Sequence, residues 1–312
     1  MQTAPRDHGG GLDAAVSNYG GTRASWLDLS TGINPVPYPL PTLSDDAWTA
    51  LPDRAAFTRL EAAARAFWDI PKTADVLAVP GASAAIARIP ALAKARAVAI
   101  PGPTYNEHAA AFAQAGWYVG ETGLDACVAV HPNNPDGRMW QADELRTPLR
   151  IIDESFCDVT PTQSLIAEAA QPGTVILKSF GKFWGLAGLR LGFVIGDPAL
   201  IAQLRDAVGP WQVSGPALQI GAEALSDFAW ADETRDRLKA DAARLDALMT
   251  GMGALNIGGT SLFRLYEVAD AQAAQEHLAQ AHIWSRIFPY ADNWLRLGLP
   301  APEAWSKLEA AL

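Results

Sequence analysis

Residues 177–197 read "LKSFGKFWGLAGLRLGFVIGD", and this stretch decides the architecture. It joins two short apolar runs, "TVILKS" at 174–179 and "LGFVIG" at 191–196, through a glycine-rich loop that carries Lys182 and Arg190. Long cationic side chains are seldom buried unless something pairs with them. A loop this apolar therefore implies a ligand or a partner with negative charge.

Working outward, the same kind of run recurs. "DVLAV" at 75–79, "AVAI" at 97–100, "ACVAV" at 126–130 and "LRIID" at 149–153 all read as strands. Helical patterns alternate with them: "FTRLEAAARAFW" at 57–68, a helix after Gly81, another from about Glu107 and a short one near Ala142. The alternation predicts an α/β large domain with a mostly parallel sheet covered by helices on both faces. Beyond Pro216 an Ala- and Leu-rich segment runs as helix to about Met249. Then "SLFRLYEV", a helix over 271–281, "IWSRIF", "NWLRLGL" and a terminal helix predict a small α+β domain. The first forty residues are rich in Gly and Pro, with Trp26, Leu27, Leu29 and Ile33 as apolar anchors. The expected division is thus an N-terminal arm at 1–40 that contributes to the small domain and the site, a large domain at 41–215 and a small domain at 216–312.

Bulk properties exclude several classes. The chain has 312 residues and a formal net charge of −10, so a nucleic-acid backbone finds no general basic field here. An anionic ligand must instead be held by a few placed cations and backbone amides. No run reaches the roughly 20 apolar residues of a membrane span. The start of the chain shows no basic segment followed by an apolar one. Cys127 and Cys157 lie in apolar contexts, which suits buried thiols in a reducing compartment, and the cytoplasm is the expected location.

In open α/β sheets ligands sit beyond the carboxyl ends of the strands. The loops there are informative. After 75–79 comes Gly81-Ala82-Ser83, where glycine permits close approach and a helix start offers N–H groups. Tyr105 follows 97–100, Asn134 follows 126–130, and Asp153 closes an apolar strand where a lone carboxylate is costly. Helix capping at Ser83, packing by Tyr105 and turn chemistry at Asn134 are the competing structural explanations. A P-loop is excluded because Phe183 follows Lys182 and the first glycine would fall on Ile176. A G-x-G-x-x-G fingerprint is missing. A cofactor that is anionic at one end, cationic at another and reactive toward amines fits the set, and pyridoxal phosphate has all three properties. Lys182 would then be the Schiff-base lysine and Asp153 the partner of the pyridinium nitrogen. Asn134 would donate to the ring oxygen, while Ser83, Ser179 and Arg190 would hold the phosphate. Lys178 competes with Lys182 for the Schiff-base role, but it lies inside the strand run.

Taken together, "PGPTYNEH", "HPNNPDG", "IIDESF", "SFGKFWGLAGLRLGF" and "NWLRLGLP" resemble, in order, the motifs of the class I/II aminotransferase group of fold-type I pyridoxal-phosphate enzymes. The resemblance implies that Tyr105 stacks on the ring and that Arg296 grips a substrate carboxylate. It also implies a homodimer with shared sites. A narrower resemblance rests on "HGG" at 8–10, "LDLSTGINPVPYP" and the lysine motif: these look like the threonine-phosphate decarboxylase branch of cobalamin biosynthesis. Members of that branch convert L-threonine O-3-phosphate into (R)-1-amino-2-propanol O-2-phosphate. Histidinol-phosphate aminotransferases are the neighbouring alternative. Aminotransferases of the group usually carry a tyrosine where this chain has Phe156, and often one where it has Leu51. The resemblance assigns the carboxylate to Arg296 with Asn34. His8 and Gly9 are the candidates for the substrate phosphate, with Arg23, Arg88, Arg138 and Arg286 as lesser ones. No metal is expected.

Overall fold

The computed structural model describes residues 8–94, 96–123 and 125–312, so the first seven residues of the expected arm lie outside the described residues. The chain divides into two compact units: one holds the segments up to Val36, Pro135–Gly137 and Thr234–Leu312, the other Pro37–Asn134 and Arg138–Glu233. The division falls within the helix Phe228–Gly251, whereas the composition changes near 216.

The larger unit is built on a seven-stranded sheet. In order across the sheet the strands are Asp75–Val79, Gly192–Gly196, Thr174–Ser179, Leu149–Asp153, Ala126–Val130, Ala97–Ala99 and Tyr118–Gly120. Only Gly192–Gly196 runs against its neighbours. The strands Ala126–Val130 and Gly192–Gly196 are buried along their whole length, as a sheet covered on both faces requires. One core cluster joins Leu77, Val128, Ile151 and Val175 of the sheet to Ile86, Phe112 and Ile201 of its helices. Tyr118–Gly120 is a strand that hydrophobic alternation does not reveal, because it has three residues and sits at the edge.

Local rules account for the helix boundaries. Arg54–Phe67 starts where the Asp53 side chain accepts from Ala56 N at 2.7 Å. The long helix expected after Pro216 is two helices, Gly215–Ala224 and Phe228–Gly251. Asp227 accounts for the break, since its Oδ1 accepts from Trp230 N at 3.0 Å and so caps the second helix.

Asp75–Val79 is an outer strand, and its outward carbonyls are occupied by side chains. Arg65 donates to Ala74 O at 3.1 Å, Arg205 to Val76 O at 3.3 Å and Gln212 to Ala78 O at 3.1 Å.

The smaller unit carries an antiparallel sheet in the order Arg286–Phe288, Ala291–Gly298, Phe263–Glu267, Leu255–Thr260. Leu27–Asp28 pairs in parallel with Ile283–Trp284, which fastens the arm to this unit. The arm also contains a helix, Leu12–Tyr19, that its glycine-rich flanks conceal. Leu12 and Ala15 pack there with Trp26 and Ala279, with Val16 and Tyr19 alongside.

Candidate active site

Five strand ends of the larger unit open onto one pocket. Ala82, Ser83, Tyr105, Asn134, Asp153, Ser179, Lys182 and Arg190 all line it, together with Ser155 and Phe156. These are the loops beyond the carboxyl ends, where this sheet type binds ligands. Gly81 stands just outside the lining.

Asp153 is 2% exposed, yet it is not an isolated charge. His108 Nε2 lies 2.8 Å from Oδ2, while Ser155 donates to Oδ1 through its hydroxyl at 2.5 Å and its amide at 3.0 Å. Burial pushes the carboxyl's pKa up, but the hydrogen bond and charge of His108 and the two Ser155 bonds outweigh it and hold it below the ordinary range. An ionised carboxylate inside a pocket suits a cationic ring nitrogen. His108 escaped the sequence reading, although it stands three residues after Tyr105 in "TYNEH", one helical turn along. Its partner is 45 residues away, and no local pattern marks that pairing.

Lys182 is half-buried, and its Nζ lies 5.1 Å from the centre of the Phe156 ring. Phe156 itself is buried and brings no hydroxyl to the pocket. Arg190 sits in the left-handed region at φ 55°, which for a residue with a side chain costs about 1–3 kcal/mol. Its Nη1 donates to Ala187 O at 2.9 Å. A Cβ on Gly81 would push the Arg190 guanidinium aside, and the φ of 83° at this position itself favours glycine. Ser179 Oγ accepts from Gly181 N at 3.2 Å.

The two adjacent asparagines have separate positions. Asn133 ties loops together, accepting from Thr104 Oγ1 at 2.5 Å and donating to Pro103 O at 2.9 Å, while Asn134 lines the pocket. Tyr105 meets His108 edge-on at 6.0 Å between ring centres. The set therefore fits pyridoxal phosphate: an aldehyde-reactive amine, a buried anion, an aromatic wall and a cradle at Ser179 and Arg190 that glycine keeps open.

Lys178 is excluded from this pocket by strand alternation, since it points to the face opposite Ser179. It is 1% exposed, with Nζ 2.6 Å from Glu154 Oε2 and 3.5 Å from Asp158 Oδ1. Burial pulls its pKa down, but the two carboxylates more than reverse that and keep it protonated. His131, Glu154 and Cys157 bring possible ligand atoms within 4.8 Å of one another. His131 nonetheless commits both ring nitrogens to the backbone, at Trp140 N and Gln163 O, which does not suit a metal.

In the smaller unit, Arg296 donates to Ser30 O at 2.6 Å, and Gly10 N donates to Ser30 Oγ at 2.7 Å. Gly9 also abuts Ser30, where a Cβ would strike the carbonyl oxygen, so Ser30 joins the His8-Gly9-Gly10 run to Arg296. Asn34 Oδ1 accepts from Arg237 Nη2 at 2.7 Å and from Val36 N at 3.0 Å, which orients the amide. Arg237 was not among the residues that the sequence singled out.

The family model for aminotransferase class I and II matches residues 121–305. A threonine-phosphate decarboxylase from Sinorhizobium sp is 43% identical, with 97% of this chain and 95% of that protein covered. One from Pseudomonas aeruginosa is 40% identical, covering 98% and 97%. Among solved structures, a histidinol-phosphate aminotransferase from Sinorhizobium meliloti in complex with pyridoxal-5'-phosphate superposes with a TM-score of 0.82 at 18% identity, over 96% of this chain and 93% of that one. That last likeness is one of fold.

Proposed function

The chain belongs to the aminotransferase class I and II family, and from that membership we propose that it is a pyridoxal-phosphate-dependent threonine-phosphate decarboxylase. It removes CO₂ from L-threonine O-3-phosphate to give (R)-1-amino-2-propanol O-2-phosphate, a step of cobalamin biosynthesis. The observation that carries the reading is the near-full-length identity of 40–43% to two threonine-phosphate decarboxylases. Phe156 supports it, because the neighbouring aminotransferases usually place a tyrosine hydroxyl there.

The cofactor, when bound, supplies an electron sink for the pair left on the α carbon as CO₂ departs. The residues divide the remaining work. Lys182 would hold the cofactor's aldehyde carbon, and its Nζ, once released, would return a proton to the α carbon. Asp153, kept ionised by His108 and Ser155, keeps the ring nitrogen protonated. Tyr105 would stack on the ring and Asn134 would donate to its oxygen, since both line the pocket. Gly81, Ala82, Ser83, Ser179 and Arg190 would cradle the phosphate, the Arg190 guanidinium lying beside Gly81. Arg296 and the amide of Asn34 hold the substrate carboxylate so that the bond to CO₂, and not the C–H bond, is the one aligned to break. His8 and Gly9 receive the substrate phosphate.

The protein works as a cytoplasmic homodimer in this reading. Trp48 and Leu51 of the larger unit are 70% and 68% exposed, large apolar side chains of the kind a second copy would cover. The arm at 1–40, the body at 41–215 and the remainder at 216–312 are its functional parts. The buried unpaired thiols Cys127 and Cys157 favour a reducing compartment. No helix among the described residues is long and apolar enough to cross a membrane.

The test is product analysis by mass spectrometry after incubation of cofactor-loaded protein with L-threonine O-3-phosphate and no keto acid. Aminopropanol phosphate in catalytic amounts is the expected outcome. A stoichiometric trace of keto acid, with the cofactor left as the pyridoxamine form, makes the chain an aminotransferase instead.

A further inference from the structure

Behind the pocket the chain buries three charges that the reaction does not use. The side chains of Lys178, Glu154 and Asp158 are 2%, 0% and 4% exposed. Buried ion clusters gain little stability over apolar packing of the same volume, so their presence calls for another reason. Their sequence positions supply one. Glu154 directly follows Asp153, Lys178 directly precedes Ser179, and Trp184 stands two residues beyond Lys182.

The contacts join these neighbours. Lys178 Nζ reaches Glu154 and Asp158, and Trp184 Nε1 donates to Asp158 Oδ2 at 3.2 Å. Trp68 Nε1 donates to Asp158 Oδ1 at 2.9 Å, while Ser164 Oγ and Leu165 N donate to Glu154 at 2.7 and 2.5 Å. The carboxylates are thus held in fixed orientations. Glu154 N also donates to Leu177 O at 3.0 Å, so backbone and side chain both join the two strand ends.

We propose that Lys178, Glu154, Asp158 and Trp184 form a buried hub of positioning residues that sets the mutual placement of Asp153, Ser179 and Lys182. The inference rests on the reading that those three residues hold pyridoxal phosphate. A ring bound at both ends and at its aldehyde carbon demands three fixed points, and small displacements there are costly to catalysis. The hub ties together the three segments that supply them, from the side the ligand does not touch.

The test compares the holoenzyme with its Trp184→Phe, Lys178→Met and Lys178→Arg variants. Trp184→Phe keeps an aromatic ring beside Phe180 and Trp230 and deletes the donor to Asp158 together with part of the indole's volume. Cofactor release from the holoenzyme and the visible circular dichroism of the bound cofactor are read beside kcat and KM. A parent protein that holds no cofactor defeats the underlying reading and is recognised before any variant is made. With the parent loaded, Trp184→Phe lowers kcat by roughly tenfold, the weight of one good hydrogen bond, with KM little changed and the dichroic band altered. Lys178→Met releases cofactor roughly tenfold faster or more, and Lys178→Arg restores most of the retention. If Lys178→Met does not fold, Trp184→Phe decides alone. Folded variants with the parent's dichroic band, release rate and kcat overturn the proposal.

Discussion

Asp153 and Glu154 are consecutive, both buried and both acidic, yet they belong to different regions of the molecule. Asp153 faces the pocket and is held by an imidazole and a serine; Glu154 faces the interior and is held by a lysine. A histidine partner leaves the carboxylate an oxygen environment that a bound ring can share. The lysine partner of Glu154 is shared with Asp158, all three side chains being buried. The same strand end therefore carries one acid available to a ligand and one that is structural, and the partner determines which is which.

The sharpest way to break the pocket side is Lys182→Ala. Loss of the reacting amine lowers kcat by on the order of 10³-fold or more, measured as product formed, while a thermal melt stays near that of the parent. His108→Phe comes next. It removes a hydrogen bond to a charged group, about 1.5–3 kcal/mol, so cofactor retention measured by dialysis falls roughly ten- to a hundredfold. Burial is then opposed only by the two Ser155 bonds, and the Asp153 carboxyl titrates higher. Ser155→Ala takes away the hydroxyl but keeps the amide bond, and the loss of retention is smaller, about fivefold.

A pH titration of stability sharpens the comparison further. Asp153 is depressed in the folded state, so its contribution is whole above the unfolded value of about 3.9 and disappears as pH falls through the folded one. Lys178 is raised, so its contribution is whole below about 10.4 and disappears as pH rises through its folded value. Urea melts across the pH range therefore lose the pocket side in acid and the interior side in alkali. His108→Phe moves the acid limit upward and leaves the alkaline one in place.

These two sides also differ in how much the sequence disclosed. The pocket residues sit at loop positions after apolar strands, and loops of that kind advertise their chemistry by Gly, Asn and Asp. Lys178 drew attention only as a rival to Lys182, because nothing in "VILKS" tells which face a lysine takes or that Glu154 waits there. His108 was hidden for the same reason: a pairing across 45 residues has no local signature. The helix Leu12–Tyr19 was hidden differently. Its apolar residues Leu12, Ala15, Val16 and Tyr19 keep helical spacing, but glycines on either side mask so short an element. The break at Asp227 could have been read from Ser226-Asp227, a pair suited to capping, inside the run after Pro216.

The outer strand Asp75–Val79 has a consequence for how copies of this chain meet. Arg65, Arg205 and Gln212 already answer the carbonyls that a newcomer's amides would seek. At this edge a second molecule that tried to add a strand of its own would find those acceptors taken, so growth of the sheet from this side is blocked. Association on this side is left to side-chain surfaces, where shape limits the count of partners.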